Sequence, residues 1–263
     1  MFKKSILLQY FAIMIVICCL LKMEVVLAED NVYYTNINEV KFTLEEYNYI
    51  SDLIWDGYQK YMTKEEYETL KKLNLFGAPI FTEQKELDVG NKMMLKRGDT
   101  LTEKGRTIKI SKICSDECFV SLVNTWNAPP AVKSYDVIGV RTETATIKRY
   151  TQASVIGNNY SQIYTNPKIF NNGMGYSIKV PNTTNIKITT TFITTLNGKI
   201  FGTYQHAMRN ISLANSKLYN ISANGYGKVL KFYGAALNKY DACNGVDIVL
   251  WKRYQKQTSN LFW

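Results

Sequence analysis

Between Asn182 and Ala207 the chain reads NTTNIKITTTFITTLNGKIFGTYQHA. Ile186, Ile188, Phe192 and Leu196 fall on one side of a two-residue period, mostly with Lys and Thr on the other. That period belongs to extended chain with one buried face. Asn197-Gly198 supplies the positive-φ positions of a tight type I′ turn, and Ile200-Phe201 and Tyr204 follow it, so the stretch predicts a β-hairpin. Asn-Gly recurs at 172, 224 and 244. Strand-like runs between 92 and 251 are separated by turn signals, with no long amphipathic period between them. The expectation is a mostly β fold, an antiparallel two-sheet sandwich of jelly-roll-like type over residues 91–263. The runs expected to be strands include 92–97, 106–113, 117–126, 134–141, 144–150, 175–180, 186–195, 199–204, 210–213, 218–222, 228–233 and 246–251.

A short αα-hairpin is expected ahead of the sandwich. Phe42-Thr43-Leu44-Glu45-Glu46-Tyr47 is echoed by Met62-Thr63-Lys64-Glu65-Glu66-Tyr67. In each copy Thr is placed to cap a helix, and the Glu three residues on can reach back to the cap N–H. The flanking apolar pair has the spacing of a hydrophobic staple. First-turn glutamates are explained by capping and the helix dipole before catalysis is considered. Asn74 to Gly90, with Gly77 and Pro79, reads as a linker. The division is therefore 1–28 as a targeting segment, 29–90 as an acidic helical segment with its linker, and 91–263 as the basic sandwich. The targeting reading rests on Lys3, Lys4, the apolar run Ile6–Leu21 and a cleavage site after Ala28. An uncleaved anchor is its alternative. Either places the remaining chain outside the cytoplasm, secreted or at the cell envelope.

Charge divides as the pattern does. Residues 29–90 carry 6 Lys and Arg against 13 Asp and Glu, and residues 91–263 carry 23 against 8. A basic region with tyrosines suits an anionic polymer or surface: a cell-wall polymer, an acidic glycan or lipid head groups. A solvated face, or docking on its own acidic segment, would use the same charges. Tyr204, His206, Arg209, Lys228, Lys231 and Tyr233 are the expected contacts. Export argues against nucleic acid, and no cofactor is implied. An oligomeric state is not encoded in any pattern found.

Cys114 and Cys118 flank a short turn, and export favours a disulfide between them. Pairing of either with Cys243, or three free thiols, stays open from sequence. With His206 the three cysteines match the ligand count of a Cys₃His zinc site but lack a second ligand pair, so no metal is expected. Cys243 and His206, with Asp241 or Asp247, form a possible nucleophile arrangement without a local signature. No Gly-x-Ser-x-Gly, His-Glu-x-x-His, phosphate loop or calcium loop occurs. Asn159, Asn182, Asn210 and Asn220 open glycosylation sequons.

The segment VSLVNTWNAPPAVKSYDVIGVR (Val120–Arg141), with the preceding cysteine pair and the later Gly-Thr-Tyr-Gln-His-Ala around His206, resembles a group of uncharacterised exported proteins of low-GC Gram-positive bacteria. The resemblance implies export and a mostly β body, brings no activity, and makes His206 and Asp136 the first residues to mutate. The functional expectation is a non-catalytic extracellular or envelope-associated binding module. An extracellular polymer-acting hydrolase is the first alternative. A secreted pore former using the Ile186–Tyr204 hairpin is the second.

Overall fold

The computed structural model describes residues 33–87, 93–94, 100–101, 105–126, 128–148, 152–170, 172–195, 199–207, 210–211, 219–221, 229–232 and 245–250. The targeting segment, Arg209, Lys228, Tyr233 and Cys243 lie outside them. Strands β1 (Tyr34–Thr35) and β2 (Lys41–Phe42) pair ahead of helices α1 (Leu44–Leu53) and α2 (Lys64–Lys72), with a single 3₁₀ turn at Tyr58–Lys60 between the helices. The remaining strands are β3 (Phe81–Leu87), β4 (Met93–Met94), β5 (Thr100–Leu101), β6 (Arg106–Cys114), β7 (Cys118–Trp126), β8 (Tyr135–Thr142), β9 (Gln152–Gly157), β10 (Tyr160–Tyr164), β11 (Lys168–Phe170), β12 (Gly173–Lys179), β13 (Lys187–Thr194), β14 (Ile200–Gln205), β15 (Tyr219–Ile221), β16 (Leu230–Phe232) and β17 (Gly245–Leu250).

Two antiparallel sheets face each other. One has the order β10-β9-β13-β7-β6-β3 and the other β11-β12-β8-β14-β17. Ile108, Ile110, Val120 and Leu122 of the first meet Ile138, Val140, Met174 and Ile178 of the second in one buried core. From β7 to β9, and again from β12 to β14, successive strands alternate between the sheets, which is the jelly-roll-like feature of the sandwich.

The sequence pattern misassigns one connection. β13 lies between β7 and β9 in the six-stranded sheet, and β14 lies between β8 and β17 in the other. The two strands therefore do not form a hairpin, and Asn197-Gly198 falls outside the described residues. Alternation reports which face is buried and is silent about which strand lies alongside. The pore-forming hairpin loses its basis with this pairing. Two further expectations change. The presumed linker holds β3, which adds to β6, and the stretch 144–148 contributes only a bridge from Ile147 to Thr194.

Both outer faces are covered. The two Thr caps form complete capping boxes with Glu46 and Glu66. Phe42 and Tyr47 meet edge-on at 6.4 Å. The copies interlock, since the Tyr67 hydroxyl donates to Glu46 at 3.0 Å. The helices then bury Ile50, Leu53, Ile54 and Leu70 against Ile113, Phe119, Val123 and Ile193 on the outside of the six-stranded sheet. Each such side chain contributes about 1.5–3 kcal/mol when fully buried. Polar ties fix the register: Trp55 Nε1 to Thr189 at 3.0 Å, Ser121 to the Leu53 carbonyl at 3.2 Å, and Lys109 Nζ to the Asp52 carbonyl at 2.7 Å. Lys109 thus supplies a cation where the last carbonyls of α1 carry partial negative charge.

On the opposite face, the β15–β16 ribbon covers Val137 and Phe201. Its Tyr219 ring lies so close to Gly175 that a Cβ there would stand 3.0 Å from the ring. Cys114 and Cys118 form a disulfide across the β6–β7 turn.

Candidate functional site

Five polar or aromatic side chains converge at one end of the sandwich. Arg106 opens β6 and is the register partner of Trp126, which ends β7. Asp136 is the second residue of β8. Tyr204 lies near the end of β14, and His206 follows that strand directly. Arg106, Asp136 and Tyr204 are fully buried, and His206 keeps only 7 % of its surface exposed.

Asp136 organises the group. Its carboxylate accepts from His206 Nδ1 at 2.8 Å, from the Ala207 backbone N–H at 3.1 Å and from the Tyr204 hydroxyl. The same hydroxyl accepts from Trp126 Nε1 at 3.2 Å. The Arg106 guanidinium lies 4.8 Å from the Trp126 ring and 5.8 Å from the Tyr204 ring. Burial, and next the Asp136 charge, push the Tyr204 phenol well above its ordinary value, so it stays a neutral donor. The carboxylate places the proton of His206 on Nδ1, leaving Nε2 as the ring nitrogen for any further partner. In chemical terms this is an oriented Asp–His pair, largely sealed by Trp126, whose ring meets the imidazole edge-on at 4.8 Å.

The expected contact residues separate. Tyr204 and His206 come together on Asp136, the residue that the resemblance paired with His206 and that stands 70 positions away. Tyr204 is interior and presents no surface. Lys231 is exposed on β16. Asp247 pairs with Thr203 across β17 and β14. Arg106 and Trp126 were missed because a cation and an indole that open and close the β6–β7 hairpin, twenty residues apart in sequence, leave no local signal. Cys114 and Cys118 are spent in the disulfide, so neither can be a thiolate ligand. Among the described residues no group of three or more His, Cys, Asp or Glu is placed to hold a metal ion.

Part of the positive charge is internal. Arg106, Lys112 and Arg141 are buried, Arg141 stacking 4.4 Å over Phe201, and burial pulls the Lys112 amine down. Exposed cations remain near the Asp136 end. Lys179 is the cross-strand partner of Tyr135. Its backbone N–H donates to the Tyr164 hydroxyl at 3.3 Å. Lys133, two residues before Tyr135, donates to Asn182. Lys133 and Lys179 are exposed, and Tyr135 and Tyr164 are half-buried. The acid nearest in sequence, Asp136, is enclosed behind them. The arrangement offers two exposed ammonium groups; Tyr135 packs against the Val137–Phe201 cluster on the outer face, whereas Tyr164 packs against the inter-sheet core.

No protein-family model matches the chain, and no curated protein matches it. Slight likeness to solved structures is found as well. A collagen-binding domain from a Staphylococcus aureus adhesin is 11% identical, over 35% of this chain and 77% of that one, with a TM-score of 0.25. The enzymatically active domain of bacteriophage CBA120 tailspike protein 4 is 14% identical, over 50% of this chain and 19% of that one, with a TM-score of 0.22. At these scores neither likeness carries an argument about this chain.

Proposed function

We propose that the protein is a non-catalytic extracellular or cell-envelope-associated binding module for an anionic polymer or surface. The observation that carries this reading is the pair of exposed lysines, Lys133 and Lys179, beside Tyr135. These lysines supply long-range attraction, and Tyr135 supplies flat, partly apolar contact area. Export follows from the expected targeting segment. The acidic helical segment is held to the sandwich mainly by apolar packing and backbone-directed hydrogen bonds, so its charges are not what occupies these lysines.

The test is a charge reversal. The double variant Lys133→Glu/Lys179→Glu changes two exposed residues and should fold as the parent does. It should lose most retention on anionic cell-wall polymer or anionic vesicles. Retention equal to that of the parent sinks the assignment of this surface.

One observation favours a second reading, an extracellular polymer-acting hydrolase. Asp136 holds His206 in the orientation a general base needs. His206→Gln would then abolish turnover of an extracellular polymer while leaving polymer binding intact. Unchanged turnover, or none in the parent across such substrates, removes this reading.

A further inference from the structure

Where α2 leans on the six-stranded sheet it leaves a cavity of about 290 Å³. Its walls are Glu66 and Thr69 of α2, Gln152 of β9, Thr191 of β13 and Thr165 beyond β10, with Phe119 of β7 as the apolar side. A second cavity of about 370 Å³ shares Thr69 and continues along the helix past Lys72 toward Glu117 and Lys148. The two make a trough along one flank of α2.

The first chamber has an unusual lining for its position. It offers hydroxyls, an amide and a carboxyl around one aromatic ring, and among the described residues no Lys or Arg lines it. Small-molecule sites usually span about 300–1,000 Å³ and are lined mainly by apolar groups. This one is small and mostly polar, so it suits a small, strongly hydrogen-bonding ligand. Glu66 is buried, and its partners are uncharged: the Tyr58 hydroxyl at 2.9 Å, the Thr191 hydroxyl at 2.7 Å and the Thr63 N–H at 3.1 Å. Burial raises its carboxyl above the ordinary range, toward the form that can donate as well as accept. Glu65 also lines the chamber. The acidic Glu65 and the absence of a Lys or Arg among the chamber's described lining residues disfavour a phosphate or carboxylate there, which sets the chamber apart from the Lys133–Lys179 surface.

We infer that the trough is a second binding site, selective for an uncharged polyhydroxylated ligand of saccharide type. One ring occupies the chamber at Gln152, Thr165 and Thr191, and the chain continues past Thr69. The Thr69 and Thr191 hydroxyls already donate to the Glu65 carbonyl and to Glu66, so they can accept from vicinal sugar hydroxyls, while Gln152 and Thr165 can both donate and accept. This site does not depend on the reading of the lysine surface.

The experiment probes the whole protein with neutral oligosaccharides of two to four units, plain and N-acetylated, in ~0.5 M salt, where surface charge is screened. The first readout is retention on immobilised sugars, followed by titration in solution. The inference expects at least one sugar to bind at concentrations up to about 10 mM. It expects Gln152→Ala and Thr165→Val each to weaken that binding by about tenfold, the effect of one lost hydrogen bond. Thr165 lies on an exposed connection, so its variant keeps the test valid if Gln152→Ala disturbs folding. The inference is overturned if no neutral sugar binds. It is also overturned if the Gln152 and Thr165 variants bind as the parent does, or if binding is lost in high salt or in Lys133→Glu. Each of these failures leaves anionic-polymer binding untouched.

Discussion

The Thr191 hydroxyl donates to Glu66 Oε1 at 2.7 Å, joining a central strand of the six-stranded sheet to a helix residue 125 positions earlier in the chain. Thr191 belongs to the threonine run that looks, in sequence, like the wet face of a hairpin. Its hydroxyl instead meets the acid that also completes the capping box of α2. The acidic helical segment and the basic sandwich thus share a buried polar contact within an apolar interface.

Thr191→Val keeps the shape of the side chain and removes this donor. Glu66 then retains a buried oxygen with one partner fewer, a loss of about 1–3 kcal/mol. Urea unfolding at neutral pH should show it as a lower midpoint. A midpoint equal to that of the parent would mean that Glu66 is reached by solvent.

Glu66 also sets a pH dependence. Burial raises its folded-state pKa above the ordinary carboxyl value of 4.5, so the folded protein binds this proton more tightly than the unfolded chain. Its favourable contribution is complete below the unfolded value and is lost as pH rises through the higher folded value. Glu66→Gln preserves the capping geometry and carries no charge. The variant should flatten the decline in stability above about pH 4.5 and equal or exceed the parent at neutral pH. A variant that falls further below the parent as pH rises would mean that the carboxylate is stabilised, contrary to this account.

How much of this was readable in the sequence follows from the range of each interaction. The capping boxes at Thr43 and Thr63 are three-residue patterns, and both form as read. The Cys114–Cys118 bridge is equally local. The sandwich was legible because strand periodicity reports burial on a face. Partner choice was not: β13 pairs with β7 and β9, and nothing within Asn182–Ala207 encodes those neighbours. β3 was hidden because Phe81–Leu87 carries charges on an edge strand and follows turn residues. Of the site, Tyr204 and His206 were among the expected contacts and Asp136 came from a resemblance, while Arg106 and Trp126 are joined to them only by tertiary packing.

The Asp136 centre should behave as a structural lock. Asp136→Asn weakens the contacts of His206, Tyr204 and the Ala207 N–H together. Breaking a buried, hydrogen-bonded pair costs about 3–5 kcal/mol. Tyr204→Phe removes one hydroxyl and should cost about 1–3 kcal/mol. Thermal unfolding followed by tryptophan fluorescence ranks the two. Equal, negligible effects would mean that the carboxylate is not what holds this end of the sandwich.

The disulfide closes a very short loop, so its contribution is modest, about 2 kcal/mol. Cys114→Ser/Cys118→Ser should lower the unfolding midpoint without changing polymer retention, because the bridge lies away from Lys133 and Lys179 in the chain's pairing scheme. Loss of retention in a folded double variant would tie the bridge to binding.

The most direct measurement is co-sedimentation of the protein with anionic vesicles and with cell-wall fractions across a salt series. An electrostatic contact through Lys133 and Lys179 predicts retention at low salt and release near ~0.5 M, where the screening length falls to a few ångströms. Absence of retention on every anionic phase at low salt would contradict the account and leave the exposed lysines as a solubility feature.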